Sequence, residues 1–383
     1  MEHFDVIVVG GGLAGLTAAI HLSRQGHHVL VFEKTKYPHH KVCGEYVSNE
    51  VIPYLSRLGV SLATVHAVEI HSLSLSTMQG RHIETGLPLG GKGISRYAFD
   101  DLLYRRALAC DVHFQFQNVV DITYRGDSFE VLTYSNETYT SKLVVGAYGK
   151  RNGLDKTLNR DFVSKKSGWL AIKGHYEYDD FAQHSVALHS FNGGYGGLSM
   201  TETGAVNFCY LVSYASFRKQ TTLDSFNANV VAQNPFLGKF LRNAVPIFEK
   251  PLTIAQISFR RKRAVKNHIL MCGDTAGLIH PLCGNGMAMA IHSAKIAAEL
   301  IDDFLTQDSH NARKSHKTRQ LDDLEREYQK QWNIHFKKRL WMGRHLQALL
   351  LNPELSTLAL STLIKQPRIL RGLIQNTHGK PIA

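Results

Sequence analysis

The chain is sparing with several things. Of its 383 residues only five are cysteine (43, 110, 209, 272 and 283), and none forms a C-x-x-C pair. That spacing speaks against a structural zinc and against a dithiol relay, and an odd number of scattered thiols points to reduced cysteines. No metal site is expected. No apolar stretch approaches the ~20 residues a membrane span needs, which excludes a spanning protein. Internal repeats and low-complexity tracts are also missing, so repeat and fibrous architectures drop out. Acids are in deficit: 32 Asp and Glu face 44 Lys and Arg, for a net charge of +12. No module interleaving basic and aromatic residues accompanies that charge, which argues against a nucleic-acid partner. The densest basic run, Arg260-Arg261-Lys262-Arg263 with Lys266 behind it, reads as a solvated loop. An anionic membrane surface is its second reading. The first residues run straight into an apolar strand, without the basic region and cleavage site of a signal peptide, so a cytoplasmic protein is expected.

What is present begins with a glycine-rich turn in a telling context. Gly10, Gly12 and Gly15 make G-x-G-x-x-G directly after the apolar run Val6 to Val9. A helix-like stretch from Leu13 to Gln25 follows, then Gly26, a second apolar run Val29 to Phe32, and Glu33. Strand, turn, helix, strand and acid in that order fit a dinucleotide site. The first glycine permits the tight turn, the second lets backbone approach a pyrophosphate, and the third lets helix pack on strand. Leu13 and Ala14 belong to the first helical turn, whose unpaired N–H groups favour phosphate. Glu33 is placed to accept hydrogen bonds from a ribose diol, and Lys34 and Val119 complete the residues assigned to this nucleotide. A glycine turn with no ligand is the bland alternative.

Which dinucleotide binds is indicated far along the chain. Ile269 to Cys272 reads as a buried strand ending in Gly273-Asp274. Pro281, a Gly284-Asn285-Gly286 turn and a helix from Met287 to about Leu300 come next. This series resembles the second FAD fingerprint of the glutathione-reductase-like flavoproteins. The resemblance implies that Asp274 bonds the ribitol chain and that the helix N-terminus faces the pyrimidine edge of the flavin. A helix dipole there stabilises the negative charge of a reduced flavin. FAD is the cofactor expected, with NAD in the first site the minor reading.

Four local matches narrow the resemblance to the branch that holds p-hydroxybenzoate hydroxylase-type monooxygenases and geranylgeranyl reductases, over roughly residues 1 to 305. Lys41-Val42-Cys43-Gly44-Glu45 is similar to the reductases' Lys-x-Cys-Gly-Gly/Glu loop, which lies over the flavin. Arg96 with Phe99-Asp100 resembles Arg-x-x-Phe-Asp, whose arginine faces the FAD phosphates. Gly193-Gly194-Tyr195-Gly196-Gly197 stands in place of a substrate-cavity strand, Tyr-x-Trp-x-Phe-Pro. The second FAD motif is the fourth match. Three departures accompany these. Tyr148 in Gly146-Ala147-Tyr148-Gly149 replaces the usual aspartate, which in hydroxylases helps a nicotinamide partner dock. The halogenase signature Trp-x-Trp-x-Ile-Pro is missing, since Ser167 to Ile172 holds only Trp169. No second G-x-G-x-x-G serves a nicotinamide domain, so NADPH or NADH would bind transiently at the flavin face.

The fold implied is α/β: a Rossmann-like FAD-binding domain with an inserted mixed β-sheet substrate domain and a helical C-terminal region. Residues 1–65, 95–160 and 257–308 are assigned to the first unit, 66–94 and 161–256 to the second, and 309–383 to a helical cap. Within the second unit, 165 to 256 reads as mostly strand. The tail from Trp341 to Ile374 interleaves leucines with Arg344, Lys365, Arg368 and Arg371. It reads as a cap on the substrate domain or as a peripheral contact with the inner face of a membrane.

Because a flavin carries its own hydride and oxygen chemistry, catalytic side chains are hard to read. Cys43, Tyr195 and His280 are the candidates, each with a structural alternative; Glu45 reads as a surface carboxylate first and an acid second. The function expected is an FAD-dependent oxidoreductase acting on a large apolar substrate, prenyl, lipid or polyketide-like. It would act by double-bond reduction or by hydroxylation through a flavin hydroperoxide. A non-catalytic lipid-binding or escort protein that keeps the fold is the alternative from another class, and a halogenase a minor one. Oligomeric state is not legible.

Overall fold

Apolar runs build the centre of the first sheet. Strands His3–Val9, Val29–Phe32, Thr138–Gly146, Ile269–Met271 and His113–Gln115 pair in parallel. Val29–Phe32 and Ile269–Met271 are buried throughout. Such runs suit a sheet covered on both faces. In the computed structural model the described residues are 3–383 except 165, 281–283, 315–320, 352–361 and 363–365. Register pairs Val9 with Gly146 and Gly146 with Met271. The carboxyl ends of these strands therefore lie side by side, and Gly10, Ala147 and Cys272 leave the sheet at one edge. That edge is where open α/β sheets bind ligands.

The first helix, Leu13–Arg24, is rich in small residues and buried along most of its length. It packs against the long helix Gly286–Lys314, whose Ala288, Ala294, Ala297 and Ala298 are fully buried. Small side chains let the two backbones approach closely. The long helix runs past the expected end near Leu300, because no glycine or proline interrupts it there.

The second sheet has nine strands and is mixed. Ser185–Phe191 pairs in parallel with Val68–Ser76, and its other ladders are antiparallel. Gly194–Met200 sits between Ser185–Phe191 and Val206–Ser213. A Cβ at Gly196 would lie 2.6 Å from the Phe208 ring, so close packing keeps this strand glycine-rich. The mostly-strand reading of 165–256 needs correction at two helices, Leu223–Asn229 and Pro235–Asn243. Thr222 and Ser225 form a capping box on the first; Asn234 caps the second with Pro235 at its start.

The mixed α/β class expected is the one observed. Beyond the sheets, helices Leu321–Leu351 and Pro367–Thr377 close the chain. Leu370 and Ile374 of the last helix bury against Leu73 on a face of the second sheet. The tail positions Leu358, Ile364 and Lys365 lie outside the described residues. Among the described residues, no helix is long and apolar enough to cross a membrane.

Candidate active site

A cleft open to solvent lies between the sheets. One side is made of both glycine motifs: Gly12, Leu13 and Ala14 from the first, and Gly273, Asp274, Gly284, Gly286 and Met287 from the second. Two helix N-termini open into it. Gly12 caps the first helix without a side-chain hydrogen bond, so the leading amides have no side-chain partner. Gly286 begins the long helix. Free N–H groups and a positive dipole end at each suit a diphosphate and an electron-rich ring edge. Glycine is required where the turn is tightest. Gly10 has φ of +109°, and a Cβ there would collide with the Ala147 carbonyl.

Donors and acceptors around the cleft fit FAD. Glu33 accepts from Gly11 N at 3.0 Å and from Lys34 N at 2.9 Å, which locks the carboxylate beside the glycine turn. Arg96 donates twice to Asp100, at 2.7 Å each, and Lys41 Nζ adds a contact at 2.9 Å. Its guanidinium lies 3.5 Å from where a Gly12 Cβ would be, placing a fixed cation beside the turn. Asp274 lines the cleft, half-buried, and among the described residues nothing hydrogen-bonds its carboxylate. A sugar-alcohol hydroxyl is the partner such a group suits. Gly273, at φ +59°, packs on Ala14 and Ala290, and Asn285 is buried with its amide on the Thr377 carbonyl at 3.0 Å. Val119, buried at the start of strand Val119–Tyr124, lies outside the cleft lining. Pro281 lies outside the described residues, as does Cys283; the other four cysteines are free thiols.

The loop 41–45 is fixed by a run of hydrogen bonds to consecutive carbonyls. Lys173 Nζ donates to Lys41 O at 3.1 Å and Lys150 Nζ to Val42 O at 3.0 Å. Asn207 donates to Cys43 O at 3.3 Å and Ser199 to Gly44 O at 2.8 Å. Cys43 is thereby held at the cleft wall, half-buried.

Glu45 is a correction. The expectation of a surface carboxylate fails, because Glu45 is fully buried with φ of +53°. It pairs with the buried Lys173 ammonium, accepts from His175 Nε2 at 2.7 Å, and accepts from Arg96 N at 2.7 Å. Burial pushes its carboxyl upward, but the His175 hydrogen bond and the Lys173 charge outweigh that and hold it below the ordinary value. His40, Glu45 and His175 bring one ligand atom each within 4.8 Å of one another, with Lys173 supplying the positive charge there. Sequence reasoning missed Lys173 and His175. Their signal was a lysine and a histidine two residues apart, on one face of strand Trp169–Glu177.

Tyr195 lines the cleft, and its hydroxyl lies 3.2 Å from His280 Nδ1. Burial pushes the His280 imidazole down to about 3, so it is neutral at pH 7 and serves as a hydrogen-bonding partner rather than a cationic acid. Tyr148 turns away from the cleft, with its hydroxyl 3.4 Å from Arg160 and 3.7 Å from Met271 Sδ. The basic run also needs correction: Lys262 is buried, donating to Lys150 O at 3.2 Å and Asp274 O at 2.6 Å. Burial lowers its ammonium to about 8. Its neighbours Arg260, Arg261 and Arg263 are not buried.

Known proteins match this architecture at two levels. Menaquinone reductase of Mycobacterium tuberculosis is 25% identical over 331 residues, covering 78% of this chain and 76% of its own. Digeranylgeranylglycerophospholipid reductase of Methanococcus vannielii is 24% identical over 319 residues, covering 78% and 77%. The solved structure of the flavin-dependent brominase Bmp2 superposes with a TM-score of 0.76 at 16% identity, covering 98% of this chain and 93% of that one. At that identity the likeness is one of fold. The family described as "FAD binding domain" matches residues 3–317. With that match over most of the chain and the two glycine motifs meeting in one cleft, the chain belongs to the FAD binding domain family and is an FAD-dependent oxidoreductase.

Proposed function

We propose that this oxidoreductase reduces a double bond in a large apolar substrate of prenyl, lipid or polyketide-like character. The observation that carries the reading is the wall facing the FAD motifs. Leu73, Leu87, Val186, Leu188 and Ile374 make it apolar, continuous with the glycine-motif side of the same cleft. A cleft with an apolar wall and few convergent polar groups suits a lipid chain. Two relatives spanning most of the chain carry a quinone and a prenylated phospholipid in their names, and both are named reductases. Hydroxylation is the other chemistry a bound flavin supports. The sequence relatives favour reduction.

When bound, FAD supplies the hydride. Gly12 to Ala14, Arg96, Asp274 and Gly286 to Met287 would hold it, and residues 42–45 line the same cleft with Cys43 in its wall. The reduced carbon pair also needs a proton. Tyr195 offers one from its hydroxyl at the cleft wall, and neutral His280 orients that hydroxyl. A nicotinamide, NADPH or NADH, is the donor proposed, visiting transiently with Tyr148 in place of an acid. The test is product mass after anaerobic turnover of FAD-loaded protein with NADPH or NADH and a geranylgeranyl lipid, whose reducible groups are carbon–carbon double bonds. Gain of two hydrogens supports the reading, with Tyr195→Phe lowering kcat about 10²-fold or more. Gain of one oxygen on admitting air, with no reduced product, would overturn it in favour of hydroxylation. Lipid binding without any product would favour an escort role.

A further inference from the structure

Charge is unevenly distributed along this chain. From Tyr328 to Ala383 nine Lys and Arg stand against a single acid, Glu354, so this segment carries most of the net charge of +12. The described part shows where that charge goes. In helix Leu321–Leu351 the inner face buries Leu324, Tyr328, Trp332 and Phe336 at four-residue steps. The outer face shows Ile334 at 62% exposure and Trp341 at 54%, flanked by exposed Lys330, Lys337, Lys338 and Arg344. Among the described residues, no acid pairs with Lys337, Lys338 or Arg344, and Lys330 meets Glu327 at 3.2 Å. The cap helix Pro367–Thr377 adds exposed Arg368 and Ile369.

This face adjoins the cleft. Lys338 Nζ donates to Asn376 Oδ1 of the cap helix at 3.0 Å, and Ile374 and Thr377 of that helix line the cleft. An exposed tryptophan and isoleucine within a row of cations, three of them without an acidic partner among the described residues, is the composition of a helix lying in a lipid–water interface. Cations there gain from an anionic surface, and the gain fades within a Debye length. We propose that the outer face of residues 330–344 in helix Leu321–Leu351, with the start of the cap helix, docks on an anionic lipid bilayer. The cap end of the cleft is thereby turned toward the lipid phase. The apolar-substrate reading gives this docking a purpose, but the docking itself is measured without turnover.

The test is co-sedimentation of the FAD-loaded protein with vesicles of phosphatidylcholine, alone or mixed with phosphatidylglycerol, at low and high salt. Binding to the mixed vesicles that weakens with salt is expected. Lys337→Glu with Lys338→Glu should weaken it at least about tenfold, at roughly fivefold per charge. Trp341→Ser should weaken it further at high salt. Lys156→Glu with Lys219→Glu makes the same charge change at exposed sites elsewhere and should leave binding near wild type. Unchanged flavin content and circular dichroism identify folded variants. Equal binding by both double variants, no preference for the anionic vesicles, or retention on duplex DNA but not vesicles would each overturn the proposal. Vesicle binding with no lipid product would contradict the function reading alone.

Discussion

Asp274 and Glu45 show two uses of a carboxylate in one cleft. Asp274 has no hydrogen-bond partner for its carboxylate among the described residues, so its removal costs the fold little and the cofactor much. Asp274→Ala should weaken FAD binding about 10–100-fold, the worth of a hydrogen bond to a charged group of ~1.5–3 kcal/mol. A fluorescence titration checks this, with the melting point of the FAD-free protein unchanged. Glu45 is the opposite case, saturated by Lys173, His175 and the Arg96 amide. Glu45→Gln leaves a buried ammonium without its counter-charge and should destabilise by about 3–5 kcal/mol, read by denaturant unfolding. The pH dependence has a definite sign. The folded carboxyl sits below its ordinary value of 4.5, so its contribution is full above that pH and is lost as pH falls through the folded value. Wild type should therefore lose stability below about pH 4.5 more steeply than the Gln variant.

At the scale of elements, the last helix is a clasp with a polar lock. Glu50, fully buried, accepts from Arg339 Nη1 at 3.1 Å, from Asn285 Nδ2 at 3.4 Å and from Gly379 N, while its own carbonyl takes Ile382 N at 2.8 Å. The lock joins the second FAD turn, the helix Leu321–Leu351 and the chain end. Arg339→Ala leaves a buried carboxylate short of its cation, at about 3–5 kcal/mol. The expected result is faster amide exchange across 367–382 with the parallel strands still protected, measured by hydrogen-exchange mass spectrometry. Uniform loss of protection would show that the clasp is not a separable unit. Elements of this kind are unevenly legible in the sequence. The glycine turns, the parallel strands and the hairpin Val119–Tyr124 with Phe129–Thr133 are readable because their signals are local. Helices Leu223–Asn229 and Pro235–Asn243 escape a reading by composition although Thr222, Ser225, Asn234 and Pro235 announce them, because the glycine- and serine-rich surroundings suggest strand. The Glu45 cluster is hidden for another reason. Its members are 128 and 130 residues apart, and only the fold brings them together.

At the scale of the molecule, two sheets meet in a cleft that is polar and glycine-lined on one side and apolar on the other. The polar half is legible, since each FAD fingerprint is a contiguous run of residues. The apolar half is not. Its wall joins Leu73 and Leu87, Val186 and Leu188, and Ile374 from segments with no common local pattern. The central claim is that both halves serve one reaction, and the absorbance of the flavin tests it most directly. The protein loaded with FAD should show oxidised bands near roughly 375 and 450 nm, lose them on anaerobic reduction, and regain them when a geranylgeranyl lipid is added without oxygen. A protein that takes up no FAD, or whose reduced flavin stays bleached with every lipid offered, would contradict the account.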